Sequence, residues 1–430
     1  MNDTTQALFS FIAHSPTSFH AVFNAAAALE AAGFQPLLEG ADWILIPGRG
    51  YYVTRNQSSL IAFRVPEQLT GFLVGAAHTD SPCLKLKENM ELRPEGYTKL
   101  DVEKYGGLLL SPWLDRPLSV AGRLMVSTEN GVAPVLVNID RDLLVIPSLA
   151  IHMDRTANEA KKWDAQVDLL PLLGKGHRQL LPLLAQTAGI AAEDILSFDL
   201  FVYNRDRGAV LGPDEELILC PRLDDLQCVY GLLQGFLQAR APKSMPVLCL
   251  FDNEEVGSET RQGAMSTFLC DTLRRVCSAR GLSETDYLRC VAQSLMVSAD
   301  NAHGVHPNHP EKAALTNRPK LGEGIVIKYG ARYATDGVSA ALMRQLLQAA
   351  GVPSQAYFNH SNVPGGGTLG NLSGTQVSMH TVDIGLAQLA MHSACEIAGT
   401  ADTDYLIRAM TACFSARLTE TGPEAFSLEL

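Results

Sequence analysis

The chain has 430 residues, 47% of them hydrophobic, and a formal net charge of −12. That length supports a large core and exceeds one ordinary domain, and the acidic balance argues against nucleic acid or an anionic membrane surface as a partner. The N-terminal residues lack a basic stretch followed by an apolar core, and no apolar run is long enough to span a bilayer, so no signal peptide or membrane span is expected and the chain reads as cytoplasmic.

Taken from the N-terminus, Ser15-Pro16-Thr17-Ser18 marks a helix start, the alanine-rich stretch to Glu30 the helix, and Gly33 its cap. Short strands are expected at 50–54 and 59–65, and another in the run Phe72-Leu73-Val74-Gly75-Ala76-Ala77. From about residue 85 to 218 the pattern changes to short alternating segments such as Gly122-Arg123-Leu124-Met125-Val126-Ser127. A hairpin-type turn stands at Glu129-Asn130-Gly131 and a helix is expected at 180–188. After residue 219 helices are expected at 226–239 and 339–350, the latter stopped by Gly351 and Pro353. The fold class is therefore α/β. Residues 1–84 and 219–430 form a mixed sheet sandwiched by helices, and a mostly β domain, 85–218, is inserted between them. The nine cysteines include no Cys-x-x-Cys pair and read as reduced, buried thiols.

Four apolar runs end in a residue able to bind metal: 72–77 at His78, 246–251 at Asp252-Asn253-Glu254-Glu255, 294–299 at Asp300, and 376–379 at His380. Runs of this kind suit strands buried on both faces, and open α/β sheets bind ligands beyond the carboxyl ends of such strands. Separate pieces of chain would then deliver His, Asp and Glu to one rim. Each piece also has a plainer reading. His78-Thr79-Asp80 suits an imidazole ligand steered by a carboxylate, or a hydrogen-bonded histidine at a strand end. Asp224, in Pro221-Arg222-Leu223-Asp224-Asp225, suits a bridging carboxylate or a helix cap. Glu254 and Glu255 repel each other and resist desolvation after so apolar a run, so opposite charge is expected beside them. One would bind metal and the other take a proton from water, unless both are simply solvated. Asp300 comes straight off a strand, with His303 and His306 placed to line a pocket. His380 and His392 share a Met-His context that composition cannot separate. Gly365-Gly366-Gly367 lacks the Lys-Ser/Thr of a phosphate loop, so close backbone approach to a substrate is the better reading.

Together Gly75-Ala76-Ala77-His78-Thr79-Asp80-Ser81-Pro82, Pro221-Arg222-Leu223-Asp224-Asp225, Asp252-Asn253-Glu254-Glu255-Val256-Gly257-Ser258 and Ala299-Asp300-Asn301-Ala302-His303-Gly304-Val305-His306-Pro307-Asn308 resemble the aspartyl aminopeptidase family of dinuclear zinc exopeptidases. The resemblance covers nearly the whole chain, with the motifs in the family's order. It implies His78, Glu255 and Asp300 as terminal ligands, Asp224 as the carboxylate bridging two ions, Glu254 as general base, and Asp80 as the carboxylate behind His78. The family's last ligand lies in a Met-His-Ser segment, which selects His392 over His380. The resemblance also implies removal of N-terminal aspartate or glutamate from peptides. Lys328 would pair with the substrate's side-chain carboxylate, and Tyr333, His303 and the loop at Gly366 would complete the pocket. His152, in the inserted domain, is implied to reach the active site of a neighbouring subunit, within a tetrahedral dodecamer that the inserted domain helps to assemble. The two divalent ions would be zinc, with cobalt or manganese as alternatives that oxygen and nitrogen ligands separate poorly.

Overall fold

The computed structural model describes residues 2–240 and 244–430. Within these residues, nine strands form one mixed sheet. Their order is Gln35–Leu37, Gly50–Arg55, Ser59–Arg64, Met245–Phe251, Phe72–His78, Leu295–Ala299, His380–Gly385, Ile325–Lys328 and Ser354–Tyr357. The four strands from Met245–Phe251 to His380–Gly385 run parallel. Their side chains alternate between two cores, which is why their sequences read as unbroken apolar runs. Leu73, Ala77, Leu248, Leu250 and Val297 share a core with helices Ser18–Ala31, Leu223–Gln238 and Asp402–Ser415. Phe72, Val74, Val247, Cys249 and Met296 share the other with helices Phe268–Ala279 and Glu284–Ala292. Gly235 lets two of these helices approach closely, since a Cβ there would lie 2.7 Å from Met410 Cβ. That packing offsets the roughly 1 kcal/mol that glycine costs a helix interior.

The helix expected after Pro16 runs Ser18–Ala31, with Gly33 in the left-handed region beyond it. A helix before it, Asp3–His14, escapes the sequence reading. Its signals were present: Asn2 caps it by accepting from the Thr5 amide, and Leu8 and Ile12 lie buried at four-residue spacing.

A second, antiparallel sheet holds Gly131–Asn138, Leu118–Thr128, Ile195–Asn204, Cys83–Leu92, Tyr97–Tyr105 and Leu172–Lys175, in that order. It has its own core, including Leu84, Leu118, Val120, Leu184, Leu200 and Val202. The turn at Glu129-Asn130 joins Leu118–Thr128 to Gly131–Asn138 as a tight hairpin. The strands Ala209–Leu211 and Leu217–Cys220 do not belong to this sheet. They pair with Glu396–Gly399, Ala387–Leu389 and Ala302–His303 in a third sheet, so the chain from Ala209 onward packs with C-terminal elements.

The fourth apolar run forms no strand. Gln376-Val377-Ser378-Met379 is too short and too polar for a buried strand and turns out of the helix Leu369–Gly374. His380 instead opens its strand, opposite Leu295 and thus at the amino edge of the parallel strands. There its ring meets Phe426 edge-on and its Nε2 lies 3.9 Å from Glu424, away from the rim that carries His78.

Among the described residues no helix is long and apolar enough to cross a membrane. All nine cysteines are unpaired.

Candidate metal centre

Strand register assembles the site. Phe251 stands beside His78 and Ser298 beside Ala76, so Glu254, Glu255 and Asp300 leave the sheet at the edge where His78 ends its strand. Asp224 and Asp225 open the helix Leu223–Gln238 at the same rim, joined by a cis peptide bond. His392 arrives from the turn before Glu396–Gly399, with its backbone in the left-handed region.

Three groups of ligand-type atoms converge there, each within 4.8 Å: His78, Asp224, Asp225 and Asp300; His78, Glu254 and Glu255; and Asp224, Glu255 and His392. Asp224 lies between the two histidines. His78 Nε2 is 3.4 Å from its Oδ1, and His392 Nε2 is 3.5 Å from its Oδ2 and equally far from Glu255 Oε2. The six residues that the sequence placed in or beside a metal site, His78, Asp224, Glu254, Glu255, Asp300 and His392, are therefore brought together.

Asp80 holds the rim in shape. Its carboxylate lies 3.3 Å from His78 Nδ1 and accepts the backbone N–H groups of Glu254 and Glu255, each at 3.2 Å. Tyr105 of the antiparallel sheet donates its hydroxyl to the same carboxylate at 2.8 Å. Just beyond, the Gly107 carbonyl lies 3.1 Å from His392 Nδ1. Both histidines thus have their Nδ1 edges held and their Nε2 edges aimed at Asp224.

The electrostatics are those of a crowded, desolvated set of acids. Burial first, with Asp300 and Asp80 adding, pushes Glu254 up to about 7. Burial and then Asp224 push Glu255 well above the usual carboxylate range. Asp225 and Asp300 are also raised, again chiefly by burial. Asp224 goes the other way: burial opposes its charge, but the His392 and His78 imidazoles facing it outweigh that. Burial disfavours the imidazolium of His392, yet Asp224 raises that histidine to about 9. His78 is raised well above its ordinary value, against its own burial, by Asp225, Asp224 and Asp80. Three buried carboxylate oxygens, Asp224 Oδ1, Asp225 Oδ1 and Glu255 Oε1, have no hydrogen-bond partner. Such orphans are costly, and divalent cations would satisfy all three. A set of imidazole and carboxylate donors suits zinc, so the residues present fit that metal.

A family model described as aminopeptidase I zinc metalloprotease (M18) matches residues 11–414. The chain belongs to the M18 family of zinc metalloproteases. A probable M18 family aminopeptidase 2 from Clostridium novyi is 41% identical over 412 residues, covering 93% of this chain and 95% of the relative. The chain also resembles solved structures. It matches one in the cryo-EM structure of the Ape4 and Nbr1 complex with TM-score 0.93 and 35% identity, over 96% of this chain and 85% of that one. It matches the S. cerevisiae mApe1 dodecamer with TM-score 0.85 and 28% identity, over 96% of each chain. The protein is thus an M18 aminopeptidase, a hydrolase of the zinc metalloprotease class.

In this M18 aminopeptidase Lys328 is buried at the end of the strand Ile325–Lys328, with its Nζ 3.5 Å from Asp300 Oδ2. Burial works against its charge, but Asp300, and less strongly Tyr333 and Asp383, hold its pKa above the ordinary lysine value. The Tyr333 ring centroid lies 5.8 Å from Nζ. His303 faces Tyr357 at 6.2 Å between ring centroids and, with Gly366, Asn359 and His306, lines an adjoining cleft. Desolvation in that cleft, then the charge of Lys328, lowers its pKa. His152 lies elsewhere, on an exposed turn of the antiparallel-sheet segment, and joins none of the ligand groups.

Sequence reasoning missed four contributors. Asp225 was seen only as part of a motif, yet it stands in a ligand group and accepts the His78 backbone N–H at 3.1 Å. Tyr105 and Gly107 come from a stretch with no chemical signature. Glu396, buried behind the site, accepts the backbone N–H groups of Asp224 and His392.

Proposed function

We propose that the chain removes N-terminal aspartate, and glutamate, from peptides at a two-metal centre. The observation that carries this reading is Lys328, a buried cation 3.5 Å from a carboxylate of the metal-ligand cluster. A buried ammonium beside the reacting rim supplies an opposite charge for an acidic first side chain, where an apolar one would leave it without that partner.

In this reading His78, Asp224 and Asp300 would hold one ion, and Asp224, Glu255 and His392 would hold the other. Support comes from Asp224's membership in both ligand groups and from its orphaned oxygen. Zinc, when bound, supplies Lewis-acid polarisation of the scissile carbonyl and acidifies the attacking water. Glu254 accepts the proton from that water and delivers it to the leaving amine. Asp80 fixes the Glu254 backbone and the His78 ring, so base and ligand keep their relative positions. Tyr333, His303 and the loop at Gly366 shape the pocket around Lys328.

The assembly reading follows the S. cerevisiae relative, whose structure is a dodecamer. This chain would assemble likewise, through its domain at 85–218, with His152 of the partner subunit completing each site. Leu149, Ile151, Met153 and Val167 stand exposed around His152, which suits a surface that another copy covers. Cytoplasmic operation is consistent with nine unpaired cysteines.

The test is hydrolysis of aminoacyl substrates bearing N-terminal Asp, Glu, Leu and acetyl-Asp, with and without chelator. Fast chelator-sensitive cleavage of Asp and Glu, slow cleavage of Leu and none of acetyl-Asp is expected. Equal rates on Asp and Leu would remove the acidic preference.

A further inference from the structure

Glu396 opens the strand Glu396–Gly399 and is 2% exposed. A carboxylate this deep usually faces a cation. Here both oxygens go to backbone amides instead. Oε2 accepts the N–H of Asp224 at 2.9 Å, and Oε1 accepts the N–H of His392 at 2.7 Å. The two amides belong to residues 168 positions apart in the chain, and their side chains meet at 3.5 Å on the far side. His392 and Ala390 both have left-handed backbones, at φ +66° and +56°. Non-glycine residues rarely adopt that conformation unless their surroundings hold it.

We propose that Glu396 is a positioning residue of the metal centre: one carboxylate that sets the separation of Asp224 and His392 by gripping both backbones. The inference rests on the reading of those two residues as ligands. Glu396 itself touches neither metal nor substrate. The geometry explains why a carboxylate is required. Its two oxygens both accept, so two N–H donors can be anchored at once. A glutamine of the same shape has one carbonyl oxygen, and its NH2 group would face a backbone N–H. It can hold Asp224 or His392 but not both. An aspartate accepts twice but is one methylene shorter.

The test uses the full-length chain and Glu396→Gln, with Glu396→Asp as a second variant and His392→Ala as control. Zinc affinity is measured by calorimetry, bound metal by elemental analysis, ligand geometry by the visible spectrum of the cobalt(II)-loaded protein, and folding by melting of the metal-free form. Glu396→Gln should melt cooperatively without metal, near the wild-type temperature. It should bind zinc about 10- to 100-fold more weakly at one of the sites, the usual range for losing a partner that orients a ligand. Its cobalt spectrum should shift. Wild-type affinity and an unchanged spectrum in Glu396→Gln, with one metal lost in His392→Ala, would overturn the inference while leaving the ligand reading intact. Unchanged metal binding in His392→Ala would overturn the ligand reading and the inference with it. Loss of cooperative melting in both Glu396 variants would also overturn the inference, because the carboxylate would then hold the fold rather than the ligands.

Discussion

Stripping metal from this centre should make the fold's stability fall as pH rises, and the sign follows from the groups left behind. Folded Glu254 keeps its proton to about pH 7, whereas the unfolded side chain releases it near 4.5. Folded His392 keeps its proton to about 9, against 6.5 when unfolded. In each window the folded state binds more protons than the unfolded one. Stability therefore falls with rising pH, from 4.5 to about 7 for Glu254 and from 6.5 to about 9 for His392. At about 1.4 kcal/mol per pH unit, either group contributes on the order of 3 kcal/mol across its window. Zinc competes with those same protons, so its stabilising effect grows with pH. The assay is calorimetric melting of chelated and zinc-loaded protein between pH 5.5 and 8.5. With an unfolding entropy of about 2.1 cal/mol/K per residue, a chain of 430 residues shifts its midpoint by roughly 1 °C per kcal/mol. The gap between the loaded and chelated midpoints should thus widen by about 3 °C or more from pH 5.5 to 8.5. A gap that stays constant or narrows would refute the reasoning, since zinc would then not be displacing protons from these groups.

Glu254→Gln should keep its zinc content by elemental analysis while turnover drops roughly 10²- to 10⁴-fold, the usual contribution of a positioned general base. Near wild-type turnover would take that role from Glu254. Lys328→Met keeps most of the buried stem but removes the charge. It should cost about 2–4 kcal/mol, or roughly 30- to 1,000-fold in kcat/KM on an N-terminal Asp substrate, and far less on Leu. An unchanged Asp-to-Leu ratio would show that selection lies elsewhere. Gly106→Ala places a Cβ 3.0 Å from Glu255 Cβ at a residue with φ +77°. It should destabilise the fold by about 1–3 kcal/mol and weaken zinc binding, read by melting and by metal titration.

What could be read from the sequence, and what could not, divides by the range of the interactions involved. Apolar runs on both faces of a sheet leave a local signature, so the strands ending at His78, Phe251 and Ala299 were legible, and the parallel register then forces the residues beyond them to one rim. His380 misled because Gln376-Val377-Ser378-Met379 imitates such a run over too few residues. A strand that begins at His380, rather than ending there, carries that side chain to the opposite edge. His392 follows the short strand Ala387–Leu389, but that strand does not by itself aim it. Its place depends on a left-handed turn and on amide and imidazole contacts to Glu396 and Gly107, and nothing local in a sequence encodes those contacts.

The same division explains why the segment at 85–218 looked separable from the chemistry. Its alternating strands and turns suggest a self-contained β sheet, and its core is built mostly from its own residues, with Ala394 joining from the C-terminal part. Yet Tyr105, at the end of one of its strands, donates to the Asp80 carboxylate that fixes His78, Glu254 and Glu255. Two residues later the Gly107 carbonyl meets His392 Nδ1. Between them Gly106 leaves room for Glu255, which is why a side chain is excluded there. Three consecutive residues, Tyr105 and the two that follow its strand, thus bear on both histidines and on the Glu254-Glu255 pair. A displacement of that sheet against the central one would pull on Asp80 and His392 together. The metal rim is therefore a joint product of two sheets, and a change that loosens their contact should be felt in metal affinity before it is felt in either core.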